Sequence, residues 1–106
     1  MNSDQLLRKI DSFNDELINI RRHIHAHPEL SGLENQTAIL ISGYLKKFGW
    51  NVTESVGRTG VIADFGPTDK GIIGLRVDMD ALPILEETQL SFSSKVDGVM
   101  HACGHD

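Results

Sequence analysis

The sequence predicts an α/β fold in which two N-terminal helices pack on part of a mixed sheet. Apolar residues in the first half recur every three or four positions, which is the period of an amphipathic helix. Apolar residues in the second half alternate or follow one another directly, which is typical of strands. Helices followed by strands indicate a helical layer on a sheet, and residues 1–106 are expected to form one structural unit.

The first helix is predicted over residues 4–27. Pro28 ends it, because the residue before a proline is disfavoured in the α region. The apolar positions are three or four residues apart and form one face of the helix. They are Leu6, Ile10, Phe13, Leu17, Ile20 and Ile24.

A second helix is predicted from Ser31 to about Phe48. Ser31 and Glu34 have the spacing of a capping box, in which each side chain binds the backbone amide of the other residue. Gly49 then supplies the left-handed conformation that is common just after a helix.

Three strands are predicted after the second helix, at residues 50–56, 61–65 and 72–77. Glycine bounds the short turn between the first two strands, and a longer turn with glycine and proline precedes the third. Residues 72–77 are apolar at most positions, which favours a central strand that is covered on both faces.

Composition excludes several classes of protein. The chain has 106 residues and a formal net charge of −5, which argues against a nucleic-acid partner. The sequence has no apolar run of the roughly 18 to 20 residues that a membrane span needs, and its first residues do not resemble a signal peptide. Its single cysteine suits a reducing compartment, and a cytoplasmic location is expected.

Arg76, Asp78 and Asp80 follow one another at steps of two where the third predicted strand ends. Side chains two apart on a strand share a face, and ligands of open α/β sheets gather beyond the carboxyl ends of strands. A binding function is one interpretation of this pattern. A solvated charged turn, or an ion pair between the arginine and an aspartate, is the other.

Cys103, Gly104 and His105 give a sharper signal. A thiolate and an imidazole suit zinc and similar divalent ions, and the glycine between them lets the backbone bend so that both face one point. Two alternatives remain open from the residues alone. The cysteine can be a small buried residue beside surface histidines in a frayed tail, or half of a nucleophilic Cys-His pair.

A second histidine group lies near the end of the first helix, at His23, His25 and His27. His23 and His27 share a helical face, but position 24 is isoleucine and not the glutamate of a HExxH zinc site. Because the helix dipole favours histidine at a helix C-terminus without any metal, the group is interpreted as structural.

Three motifs occur in order along the chain: IRRHIHAHPELSGLENQTA, GLRVDMDALPI and GVMHACGHD. Together they resemble the N-terminal part of the dinuclear-metal amidohydrolases of the aminoacylase/carboxypeptidase family. The subgroup is that of hippurate hydrolases, auxin-conjugate hydrolases and N-acetyldiaminopimelate deacetylases. The resemblance implies an incomplete catalytic domain with a phosphorylase/hydrolase-like zinc-peptidase fold, and hydrolysis of N-acyl amino acids or related peptide-like bonds.

The resemblance also assigns residues. It implies that Cys103 and His105 bind a divalent metal, zinc or manganese, with two ions in each complete site. Asp80 matches a catalytic carboxylate near the metals that orients a neighbouring group. Asp78 stands where other branches carry a metal-binding histidine and receives no role. His25 matches a motif near the helix junction that is interpreted as structural.

Family members are several-fold longer than this chain. The resemblance places a Glu-Glu pair, with the general base, and further ligand histidines beyond position 106. The chain is therefore expected to be an N-terminal fragment, or one part of a split or truncated enzyme. Because these groups are not in it, the chain alone is expected to be inactive. Its expected partners are the missing C-terminal part, a second copy of itself, and a small-molecule substrate in the complete enzyme.

Overall fold

The computed structural model describes residues 1–105, which form three helices and an antiparallel hairpin. The helices are α1 (Ser3–Asp11), α2 (Asn14–Ala26) and α3 (Asn35–Lys47), and the strands are β1 (Asn51–Val56) and β2 (Gly60–Asp64). Helix α3 packs against both strands of the hairpin. Helices layered on paired strands agree with the predicted α/β class.

The predicted first helix is interrupted at Ser12. The hydroxyl of Ser12 donates to the carbonyl of Lys9 at 2.6 Å, and the amide of Phe13 donates to the carbonyl of Ile10 at 3.0 Å. The latter is a tighter turn than an α-helical one, and the serine hydroxyl competes for a carbonyl in the same turn. The prediction of one continuous helix over residues 4–27 is therefore wrong.

Helix α3 is capped from a distance by Glu29. The Glu29 carboxylate accepts from the amide of Gln36 at 3.1 Å, and from the amide and the hydroxyl of Thr37 at 2.6 Å each. Glu34 stands at the N-cap position, and its side chain makes no capping hydrogen bond there. The predicted capping box of Ser31 and Glu34 is wrong, because the Glu29 carboxylate, seven residues before Gln36, already binds the first amides of the helix.

The hairpin runs from Asn51 opposite Asp64 to Val56 opposite Gly60. Gly60 is required at the turn, because a Cβ there would lie 2.5 Å from the carbonyl oxygen of Val56. The first two predicted strands are thus confirmed in type and in position.

The third predicted strand is not formed. Within residues 1–105, no strand is assigned to 72–77. Its side chains are exposed on both faces, to 81% for Ile72 and 92% for Ile73. A strand needs a neighbouring backbone to complete its hydrogen bonds, and the described part of the chain supplies none to this segment. The apolar side chains of residues 72–77 are therefore not covered by the described part of the chain.

The buried residues lie at and just after the end of α2, in the first two thirds of α3 with the residue before it, and at Ala81, and most of them are polar. Hydrogen bonds consequently hold much of this region together, because so little apolar surface is fully covered. The buried side chains are those of His25, Ala26, Pro28, Glu34, Thr37, Ser42 and Ala81.

Candidate metal centre

The segment that carries the candidate site is tied to the rest of the fold by backbone hydrogen bonds. The amide of Ala81 donates to the carbonyl of Glu29 at 2.8 Å. Leu82 and Met100 exchange two hydrogen bonds, of 2.9 and 3.0 Å, and form an antiparallel bridge. Residues 82–100 therefore make a closed loop, and the candidate residues flank its two ends.

Cys103 and His105 lie together just beyond this closed loop. Both are exposed, and the Cys103 Sγ atom lies 3.4 Å from Nδ1 of His105. Two ligands of one tetrahedral zinc, at roughly 2.3 Å for sulfur and 2.1 Å for nitrogen, lie about 3.6 Å apart. Gly104 between them has open space around its Cα. The thiol and the imidazole are thus at the separation that one metal ion requires, which is also a sulfur hydrogen-bond distance.

Asp80 lies on the other side of the loop closure, two residues before Leu82. It is half-buried, and the hydrogen bonds recorded for residues 1–105 do not involve its carboxylate. The same residues contain no group of three or more histidine, cysteine, aspartate or glutamate side chains that could hold a metal ion. The structure therefore brings Cys103 and His105 together but does not add Asp80 to them as a third ligand.

Arg76 and Asp78 form an ion pair, with 3.1 Å between Nη2 and Oδ1. Both side chains are largely in solvent, so the pair contributes little to stability. This agrees with the interpretation of the segment as a charged turn with an Arg–Asp pair.

The three histidines at the C-terminal end of α2 divide into two sets. His27 Nδ1 lies 2.8 Å from the carbonyl oxygen of His23, and the two rings are 4.5 Å apart. His25 points elsewhere and is buried, with its Nε2 atom 2.9 Å from Oε1 of Glu86. These contacts support the structural interpretation of the three histidines.

Glu86 is the polar residue that sequence reasoning missed. Its side chain is 3% exposed, although it lies in a loop without helix or strand. Besides His25, it accepts from the hydroxyl of Thr88 and from the amide of Ser94 at 2.9 Å. The Thr88 hydroxyl lowers the pKa of Glu86, burial opposes this, and the Ser94 amide and His25 add to the lowering.

The only signal for this pair in the sequence was indirect. Two residues turn a helix by about 200°, so His25 faces away from His23 and His27. Nothing in a single sequence says that Glu86, 61 positions later, meets it.

Comparison with known proteins gives a consistent picture. The model of Peptidase family M20/M25/M40 matches residues 74–106. The chain is 48% identical over 103 residues to a hippurate hydrolase of Campylobacter jejuni, covering 95% of this chain and 27% of that protein. It is 43% identical over 107 residues to an N-acyl-L-amino acid amidohydrolase of Geobacillus stearothermophilus, covering 100% of this chain and 29% of that protein.

A solved structure agrees with these relatives. A dinuclear metal binding peptidase of the M20 family from Bacillus subtilis matches with a TM-score of 0.82 and 47% identity, over 90% of this chain and 27% of that one. The chain spans about a quarter of the length of the curated relatives it matches. In the described residues, no helix is long and apolar enough to cross a membrane.

Proposed function

Because the chain resembles the N-terminal part of the metal-dependent amidohydrolases of Peptidase family M20/M25/M40, in sequence and in fold, we propose that it supplies half of such a metal centre. The complete enzyme would hydrolyse the amide bond of N-acyl amino acids. The observation that carries the proposal is the 3.4 Å approach of the Cys103 thiol to the His105 imidazole. It occurs inside the segment that the family model matches.

The donor atoms fit a divalent cation. A thiolate and an imidazole are ligands that zinc accepts, and a dinuclear relative supports two ions in a complete site. Zinc and manganese both remain candidates for the native metal. When bound, such an ion supplies Lewis-acid chemistry to a scissile carbonyl and lowers the pKa of a water ligand toward about 7.

This chain's own residues have limited roles in that chemistry. Cys103 must lose its thiol proton to act as a ligand, and His105 must be neutral. Asp80 is proposed as the catalytic carboxylate that orients a neighbouring group, because an ionised carboxylate accepts hydrogen bonds without donating any. Its half-buried position beside the loop closure is compatible with that role.

The isolated chain is proposed to be inactive. A catalytic zinc normally has three protein ligands and a water, whereas the described residues gather only two donors at one point. Residues outside this chain would have to supply the other ligands and the general base.

A partner-binding piece of a split enzyme is the second candidate function. The exposed apolar residues of segment 72–77 favour it, because an uncovered strand-like segment is a template for pairing with another chain. The C-terminal part of such an amidohydrolase and a second copy of this chain are the two proposed partners.

Metal titration tests the proposed half-site, which consists of Cys103 and His105. Cd²⁺ is added to the full chain, and the ultraviolet charge-transfer band of a cadmium thiolate is followed in the unsubstituted chain, in Cys103→Ser and in His105→Ala. Cys103→Ser should abolish the band, and His105→Ala should weaken binding about tenfold or more. His27→Ala, which removes an exposed histidine just after α2, is the matched control and should leave binding unchanged. A band that persists in Cys103→Ser would refute the half-site.

Activity is tested separately. Hydrolysis of hippurate and of N-acetyl amino acids is measured for the purified chain with Zn²⁺ or Mn²⁺. It is measured again after co-expression with the remaining three quarters of an amidohydrolase relative. Turnover only in the co-expressed sample is the expected result. Enzyme-like turnover by the chain alone would contradict its proposed inactivity.

A further inference from the structure

The strongest unassigned feature of the molecule is the buried carboxylate of Glu86. Three donors surround it, and they come from different parts of the chain: His25 on α2, and Thr88 and Ser94 in the closed loop of residues 82–100. These hydrogen bonds fix the groups around the carboxylate, since moving any one of them takes a hydrogen bond from a buried charge.

We propose that Glu86 is a positioning residue for the metal half-site, because it fixes the closed loop on α2 and so sets where Cys103 and His105 leave the fold. This inference rests on the proposed function. Glu86 would touch neither metal nor substrate, and it would act through the loop.

The loop has no helix or strand of its own, so specific contacts must hold its shape. Further contacts do so on the same side of the loop as Glu86. The amide of Lys95 donates to the carbonyl of Ala26 at 2.9 Å. The ring of Phe92 meets His25 edge-on with 5.7 Å between centroids, and the guanidinium of Arg22 lies 4.6 Å above the same ring.

The backbone pairing of Leu82 with Met100 links the shape of the loop to the position of the half-site. Met100 is held at both backbone groups by Leu82, and Cys103 follows three residues later. Among residues 101–105, the hydrogen bond or close contact recorded for the two candidate ligands is the one between themselves. Their direction therefore depends on the anchor at Met100 and on His101, whose ring lies 6.4 Å from that of His25.

The position of Asp80 depends on the same bridge through its other segment, which contains Leu82. Leu82 and Met100 are paired antiparallel, so the segments that carry Asp80 and Cys103 leave the bridge side by side. A loop that shifts on α2 would move both candidate groups at once.

The chain contains a matched control. Glu34 is also a buried loop carboxylate, and it accepts from the amide of Gly32 at 2.9 Å and from the hydroxyl of Thr59 at 2.6 Å. It ties the start of α3 to the hairpin, away from the closed loop. A variant of Glu34 therefore reports what general destabilisation does to metal binding.

The experiment compares Glu86→Gln with Glu34→Gln in the full chain. Far-UV circular dichroism establishes that both are folded, and Cd²⁺ is then titrated through the thiolate charge-transfer band. Glu86→Gln should weaken Cd²⁺ binding about tenfold or more, which is the usual effect of losing an outer support of a metal ligand. Glu34→Gln should bind as the unsubstituted chain does. Rescue is tested with Glu86→Asp, which keeps the charge and should recover part of the affinity.

A second pair of variants covers the case in which Glu86→Gln does not fold. Thr88→Val deletes one hydrogen bond to Glu86 from an exposed position, and Thr59→Val deletes the corresponding hydrogen bond to Glu34. Loss of one such bond should weaken Cd²⁺ binding about threefold for Thr88→Val, and not for Thr59→Val.

The outcomes separate the two hypotheses. If the unsubstituted chain shows no Cys103-dependent band, both the proposed function and the positioning role of Glu86 are refuted. If the band is present and the variants of each pair bind Cd²⁺ equally, the half-site stands and the positioning role of Glu86 is overturned.

Discussion

Replacing Glu29 by alanine should destabilise the fold more than replacing any exposed glutamate. The Glu29 carboxylate caps α3 through the amides of Gln36 and Thr37 and also binds the Thr37 hydroxyl, which is buried with its residue at 4% exposure. Loss of a capping side chain costs about 1 kcal/mol. A buried hydroxyl left without its partner adds about 1 to 3 kcal/mol. The expected loss in free energy of unfolding is therefore about 2 to 4 kcal/mol.

Urea unfolding, followed by the fluorescence of Trp50, measures this loss. Trp50 packs against Phe65 with 5.2 Å between ring centroids, so its emission reports the hairpin that α3 covers. With a urea slope of roughly 1 to 3 kcal/mol per molar, the midpoint should fall by about 0.7 to 4 M. Glu29→Gln keeps the shape and one acceptor oxygen, and it should lose about half as much. Glu87→Ala, a change at an exposed glutamate, is the control and should stay within about 0.5 kcal/mol.

The pH dependence provides a second readout of the same carboxylate. Burial raises the pKa of Glu29, but hydrogen bonds from the hydroxyl and amide of Thr37 and from the amide of Gln36 outweigh it, and the net pKa is below 4.5. The stabilisation is therefore complete above pH 4.5 and is lost as pH falls through the folded-state pKa. Glu29→Gln should lack this part of the acid sensitivity. The reasoning is refuted if Glu29→Ala and Glu87→Ala have equal urea midpoints at neutral pH.

Two further predictions concern the closed loop and the exposed segment. The pKa of Glu86 is likewise lowered, chiefly by the Thr88 hydroxyl. Below pH 4.5, the free energy of unfolding of Glu86→Gln should therefore fall less steeply than that of the unsubstituted chain. Equal slopes in acid titrations followed by circular dichroism would contradict this. Ile73→Lys should reduce self-association in sedimentation velocity and change the free energy of unfolding by no more than about 0.5 kcal/mol, because the Ile73 side chain is exposed in the described chain. A loss above about 1 kcal/mol would mean that residues 72–77 are covered after all.

Local signals in the sequence were sufficient where the physical cause was also local. Pro28 marked the end of the first helical region, and Gly49, with a φ of 84°, takes the left-handed conformation predicted after the second. The glycines around the hairpin turn located the first two strands. The resemblance to the amidohydrolase family rested on motifs alone, and the relatives confirm it.

Predictions failed where a side chain outside the predicted motif made the contact, or where no described backbone paired with a segment. Ser31 and Glu34 had the spacing of a capping box, yet the carboxylate of Glu29 is the group that accepts hydrogen bonds from the first amides of α3. Residues 72–77 had the pattern of a central strand, yet no described backbone lies beside them to pair with. The metal roles of Cys103 and His105 remain predictions that the proposed titrations test.

By itself, the sequence determined that helices precede strands, where the hairpin lies and which family the chain resembles, and it proposed Cys103 and His105 as metal ligands. Periodicity, turn residues and short motifs are properties of neighbouring positions, so a single amino-acid sequence is enough to recognise them. Only the tertiary structure decided that His25 and Glu86 are joined across 61 positions and that Leu82 closes on Met100. Burial gives those polar contacts their strength, and burial depends on how segments far apart in the sequence pack together.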